Sequence, residues 1–162
     1  MVQPRVLLAL GSAVLVLAAC GSDNKKSGTG GSTAARGYAA TGAAVNAVCK
    51  ATNAAGAKIA NSLNGDPKHD APILDKTIEI YSSAIDKIRT IEPDPKLADT
   101  FNQFVQQAED QVTLLENVRD KAKAGDAAAY RAEVVKTQTQ SQATKPDRRA
   151  TSLALGAPDC AK

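Results

Sequence analysis

The chain has 162 residues, with no Trp, three Tyr, two Phe and a formal charge of +3 at pH 7. That length allows one domain and a tail. A core so poor in aromatics must be built from Ala, Val, Leu and Ile, which suits close-packed helices better than sheets. The small net charge and scarce aromatics argue against nucleic-acid binding.

Arg5 supplies a short positive region, followed by an apolar run of fourteen residues, Val6 to Ala19, interrupted only by Gly11 and Ser12. A membrane span needs about 20 residues, whereas this length suits the apolar region of a secretory signal. The run ends in Leu17-Ala18-Ala19-Cys20-Gly21, which resembles the lipobox of bacterial lipoproteins. The resemblance implies that residues 1–19 are a signal peptide, cut off just before Cys20. It also implies diacylglycerol on the Cys20 thiol, with acyl chains such as palmitate. The mature protein would then sit on the extracytoplasmic face of the cell membrane, held by several lipid tails. An uncleaved N-terminal anchor helix that happens to end in a cysteine is the other reading, and it also keeps the chain at a membrane.

Gly21 to Arg36 is rich in Gly, Ser, Thr and Lys and has no large apolar residue. Such a segment cannot bury enough surface to fold, so residues 20–37 read as a lipidated cysteine and flexible tether. Its root-mean-square reach is about 20–24 Å. Residues 38–162 read as the folded domain.

Four helical segments follow. The first spans about Tyr38 to Leu63, with Val45, Val48, Cys49, Ile59 and Leu63 at helical spacing. Asn64-Gly65-Asp66-Pro67 is a strong stop and turn. The second spans about Ala71 to Ile91, with Asp70 as N-cap, Pro72 in the first turn, and a stripe of Leu74, Ile78, Tyr81, Ile85 and Ile88. It reads as the most buried helix. The third starts with Asp94 as N-cap and Pro95 at the first helical position. It carries Leu97, Phe101, Phe104, Ala108, Val112, Leu115 and Val118, and ends at Ala124-Gly125. Asp126 caps the fourth, whose stripe of Ala127, Tyr130, Val134, Thr137 and Ser141 is weaker. Pro146 is expected to kink or break it, at about 3 kcal/mol in a helix interior. Short turns between the four imply an all-α, antiparallel up-down-up-down four-helix bundle.

With Cys20 assigned to lipid, Cys49 and Cys160 remain. An exported compartment permits a disulfide between them. In the up-down order the start of the first helix and the end of the fourth lie at one end, which favours the pairing. Two free thiols are the alternative. A catalytic thiol is disfavoured, because neither cysteine has a local histidine.

The early Cys49, the turn from Glu92 to Pro95, the turn from Ala124 to Asp126 and the ending Leu155-Gly156-x-x-x-Cys160 resemble small lipoproteins of actinobacteria, over most of residues 38–160. That family carries no agreed activity. The resemblance implies the bundle and the disulfide, and no more.

Charge is uneven. Residues 23–60 carry five Lys/Arg and one Asp, residues 61–120 six and twelve Asp/Glu, and residues 121–162 eight and four. With the first and fourth helices as neighbours, one side is basic and could face an anionic envelope surface. Ordinary solvated faces explain the same imbalance.

Chemistry-bearing patterns are few. His69 lies in a polar turn beside Asp66 and Asp70, an exposed trio without softer ligands, so no metal site is expected. No Glu-x-x-His pair suggests a di-metal bundle. Glu109-Asp110 and Glu116 diverge on their helix rather than converge as a glycosidase pair would. We therefore expect no enzyme and no cofactor. The expectation is a membrane-anchored, non-catalytic helical domain with an interaction or structural role, its partner an envelope protein. The alternative is a small-ligand binder, with an apolar slot beside Gly42, Gly56 and Ala108 and with Tyr38, Tyr81 and Tyr130 as polar handles.

Overall fold

The computed structural model describes residues 33–60 and 62–162. The signal segment 1–19, Cys20 and the tether through Ser32 lie outside the described residues. Four helices pack against each other: α1 (Thr33–Ala60), α2 (Pro67–Arg89), α3 (Ala98–Ala124) and α4 (Ala127–Ala154). A 3-10 turn, Pro95–Leu97, leads into α3, and a second, Pro158–Ala161, ends the chain. Among the described residues there is no strand.

Helix α1 begins at Thr33, inside the stretch expected to be tether. The reason is compositional, since Ala34 and Ala35 are the best helix formers and the Gly/Ser run stops before them. Helix α2 also begins earlier than expected. Asp66, not Asp70, is its N-cap: the Asp66 side chain accepts from the Lys68 N–H and Pro67 takes the first helical position. Pro72 then falls inside the helix. The carbonyl its ring leaves unpaired, four residues back at Lys68, belongs to an exposed residue that water can serve. Asp94 accepts from the Lys96 N–H and starts the 3-10 turn before α3, and Asp126 accepts from the Ala128 and Ala129 N–H groups to cap α4. Gly125 closes α3 at φ 73°, a left-handed position.

The apolar core forms two clusters. In the first, Val45, Ile88, Leu97, Phe101, Phe104, Leu155 and Ala157 are buried together, with Val48, Cys49, Ile91, Val105 and Cys160 packed around them. In the second, Ala71, Leu74, Val118, Ala122 and Tyr130 are buried together, with Val134 beside them. Between the clusters α2 buries Ile78, Ala84 and Ile85, as befits the strongest stripe. Ala108, Val112 and Leu115 on α3 are only half-buried. The middle of α4 meets α3 at Leu114 and Gln111 through the hydroxyls of Thr137 and Ser141.

Helix α4 runs unbroken through Pro146, where a kink or break was expected. Its last turns are held from both sides. Thr151, Ser152, Leu155 and Ala157 are buried. The Arg148 guanidinium folds back to donate to the Ser141 carbonyl at 3.2 Å and to the Ser141 hydroxyl at 3.3 Å. Gln142, which would have paired with the missing N–H, is exposed to water. Docking of the helix end thus offsets the cost of the proline.

The first and fourth helices do not lie side by side as expected. Helix α1 packs on α2 and on the terminal 3-10 turn, while α4 packs on α3. Among the described residues the end of α4 comes close to α1 at Gly42. A Cβ built on Gly42 would stand 2.4 Å from the Leu155 carbonyl oxygen and 3.0 Å from that of Gly156. Alanine normally gains about 1 kcal/mol over glycine in a helix. Here Gly42→Ala is expected to lose about 1–3 kcal/mol instead, because main chain must move to admit the methyl. A thermal melt followed by circular dichroism checks this, and a raised melting temperature would contradict it.

Candidate functional site

Two polar knots and one open face stand out. The first knot fixes the chain end on α1. Asn46, Cys49 and Asn53 are spaced by three and four residues and so share one helix face. Asn46 Nδ2 donates to Asp159 Oδ2 at 2.9 Å, and the Asp159 N–H donates back to Asn46 Oδ1 at 2.7 Å. Asn53 Nδ2 donates to the Asp159 carbonyl at 2.7 Å. Cys49 and Cys160 lie at disulfide distance, with Cα atoms 5.2 Å apart. The Tyr38 hydroxyl donates to the Ala154 carbonyl. The Lys162 ammonium and the Asn46 amide hold the Asp159 carboxyl below its ordinary range.

The second knot lies at the start of α2. Asp70 is wholly buried, at 0 % exposure. Its carboxylate accepts from the Asn64 N–H at 3.0 Å, the Gly65 N–H at 2.8 Å, the Tyr130 hydroxyl at 2.8 Å and His69 Nδ1 at 2.9 Å. One carboxylate therefore ties the α1–α2 connection to α4. Burial alone would raise the Asp70 carboxyl. The hydrogen bonds from His69, Asn64, Tyr130 and Gly65 outweigh it, and the group titrates below its ordinary value of 3.8. Burial first, and then donation to Asp70, pushes the Tyr130 hydroxyl up.

A folded-state carboxyl held below its unfolded value stabilises the fold above that unfolded value. The contribution is lost as pH falls through the folded value. The stability gap between the native chain and Asp70→Asn should therefore be full at neutral pH and shrink below about pH 4. Urea unfolding at a series of pH values measures it, and a gap unchanged to about pH 2 would count against the assignment.

The open face is the outward side of α4. Arg131, Lys136, Lys145 and Arg149 are exposed along it. Val135 and Leu153, at 62 % and 51 %, are the most exposed large apolar side chains of the described residues. On the α3 side, Ser141 Oγ donates to Gln111 Oε1 at 3.1 Å. Beside this contact Asp110, Gln111, Thr113, Leu114, Gln140, Ala143 and Thr144 line a shallow, open hollow of about 390 Å³.

The residues singled out from sequence scatter among these features. Cys20 lies outside the described residues, and Cys49 and Cys160 come together. Asp66 serves as a helix cap while Asp70 turns inward, so Asp66, His69 and Asp70 do not converge on one point. Among the described residues no three His, Cys, Asp or Glu side chains are grouped to hold a metal ion. Glu109 pairs with Arg89, and Asp110 accepts from Gln106 Nε2 at 3.0 Å, so the neighbouring carboxylates diverge. Gly42 is covered by main chain and leaves no space beside it, and a Cβ at Gly56 would meet the Tyr81 hydroxyl at 3.5 Å. Tyr38 and Tyr130 tie helices together rather than line a slot. No helix of the described residues is long and apolar enough to cross a membrane.

The Asp70 and Asp159 knots were missed from sequence. Pro67 right after Asp66 pointed to the true cap and so freed Asp70 for another role. The spacing of Asn46, Cys49 and Asn53 was a weaker sign that amides flank the disulfide position.

No known protein family, curated protein or solved structure gives a significant match to this chain.

Proposed function

We propose that the chain is an extracytoplasmic lipoprotein, anchored to the cell membrane through Cys20. Its helical domain would work by contact with another envelope protein rather than by catalysis, and this reading needs no cofactor. The anchor rests on the lipobox-like Leu17 to Cys20 at the end of a short apolar run. The interaction role rests on one observation. The outward side of α4 leaves Val135 and Leu153 uncovered and flanks them with Arg131, Lys145 and Arg149. Exposed apolar side chains and Arg are both enriched where proteins meet, and here they alternate along one helix face.

In this reading the helices run antiparallel, up-down-up-down. The two core clusters support that order: one gathers the end of α2 with the start of α3 and the end of α4, the other the start of α2 with the end of α3 and the start of α4.

A photo-crosslinking residue placed at Val135 or Leu153 tests the role in intact cells. A discrete adduct with an envelope protein is expected from both positions, and none from Glu79, an exposed position on α2. Equal labelling at all three, or none at any, would overturn the assignment of α4 as the contact face.

A further inference from the structure

Asn64-Gly65 is the chain's one Asn-Gly pair, and it lies exposed in the connection between α1 and α2. Asn-Gly is the dipeptide most prone to spontaneous loss of its side-chain amide, because glycine puts no side chain in the way of ring closure. The Gly65 nitrogen gives up its proton and attacks Asn64 Cγ. The new N–Cγ bond forms as the Cγ–Nδ2 bond breaks, and ammonia leaves, carrying the proton. Water then opens the cyclic imide on either side, leaving aspartate or isoaspartate at position 64.

The fold engages the attacking nitrogen and fixes the side chain that it must reach. The Gly65 N–H donates to Asp70 Oδ2 at 2.8 Å, and a nearby carboxylate disfavours removal of that proton. Asn64 Oδ1 accepts from the Asp66 N–H at 2.9 Å, which keeps the side chain turned toward Asp66. The Asn64 N–H is also bound to Asp70, at 3.0 Å. We propose that Asn64-Gly65 is a latent deamidation site held closed by the buried Asp70 carboxylate, so that conversion at Asn64 records opening of the α1–α2 connection. The change is one-way. Isoaspartate lengthens the main chain by one methylene between residues 64 and 65, and either product adds a carboxylate beside Asp66 and Asp70. Both effects oppose return of the Gly65 N–H to Asp70.

The test incubates the purified chain at mildly alkaline pH, with its disulfide intact, and follows position 64 by peptide mass spectrometry. A site that reacts only from an opened state is slowed by the fraction of time it spends open. Conversion in the native chain should therefore be about tenfold or more slower than in concentrated urea at the same pH. Two variants separate guarding from general stability. Asp70→Ala should convert at close to the rate in urea. Tyr130→Phe keeps both Asp70 contacts to the turn and should stay near the native rate, although it also weakens the fold. Equal rates in native buffer and urea would overturn the proposal. So would Tyr130→Phe converting as fast as Asp70→Ala while both remain folded by circular dichroism.

Discussion

Asp70→Ala is expected to cost about 2–5 kcal/mol of folding stability, because hydrogen bonds to a charged group contribute about 1.5–3 kcal/mol each and a stranded buried donor costs more. The loss has three parts. The Tyr130 hydroxyl and the Asn64 and Gly65 N–H groups all lose a charged acceptor at 2.8–3.0 Å. The hydroxyl is buried, so losing its partner costs the full desolvation penalty, about 1–3 kcal/mol. The α1–α2 connection also loses its only described tie to α4. Tyr130→Phe should cost less, about 1–3 kcal/mol, since Asp70 keeps its other donors. The double variant should fall short of the sum, because neither change then strands a partner. Urea midpoints with an unchanged slope would give these values directly. A loss below 1 kcal/mol for Asp70→Ala would mean that water replaces the carboxylate and that the knot carries little.

Cys160→Ser is expected to cost about 2–5 kcal/mol. The two cysteines are 111 residues apart in sequence. In the chain-entropy account, closing a loop near that length contributes about 4.7 kcal/mol through the unfolded state. Part of the contact should survive, because Asn46 and Asn53 still hold Asp159 on α1. Reductant should lower the melting temperature of the native chain and leave that of Cys160→Ser unchanged. A native chain indifferent to reductant would mean that the two thiols are not joined.

How much of this was legible in the sequence differs from element to element. Of the stripe Leu74, Ile78, Tyr81, Ile85 and Ile88, all but the exposed Tyr81 are buried as the spacing implied, and so are Leu97, Phe101, Phe104 and Val118. These positions are set by period and apolar character, which are local. Val112 and Leu115 belong to the same stripe yet stay half-buried, so the period alone does not set how far a position is covered. The two prolines divide likewise. Pro95 marks a helix start from its own chemistry, whereas Pro146 is tolerated through its surroundings, with Gln142 open to water and Leu155 and Ala157, nine and eleven residues further on, sunk in the core.

The knots were harder to read. Asp70 looked like a cap because aspartate before an apolar stripe usually is one. Its real partner, Tyr130, is 60 residues away, and no local pattern encodes that distance. The closeness of Cys49 and Cys160 was reachable because cysteine arithmetic is global. The adjacency of α1 and α4 assumed with it was not needed, because the terminal 3-10 turn bridges the gap.

The proposed lipid anchor at Cys20 can be read from the intact mass of the protein extracted from membranes of its own host. The predicted result is a chain starting at Cys20, heavier than its sequence by covalent acyl chains. Cys20→Ser should abolish that added mass and release the domain from the membrane fraction. An unmodified chain that retains residues 1–19, or one cut at another site and free of lipid, would contradict it.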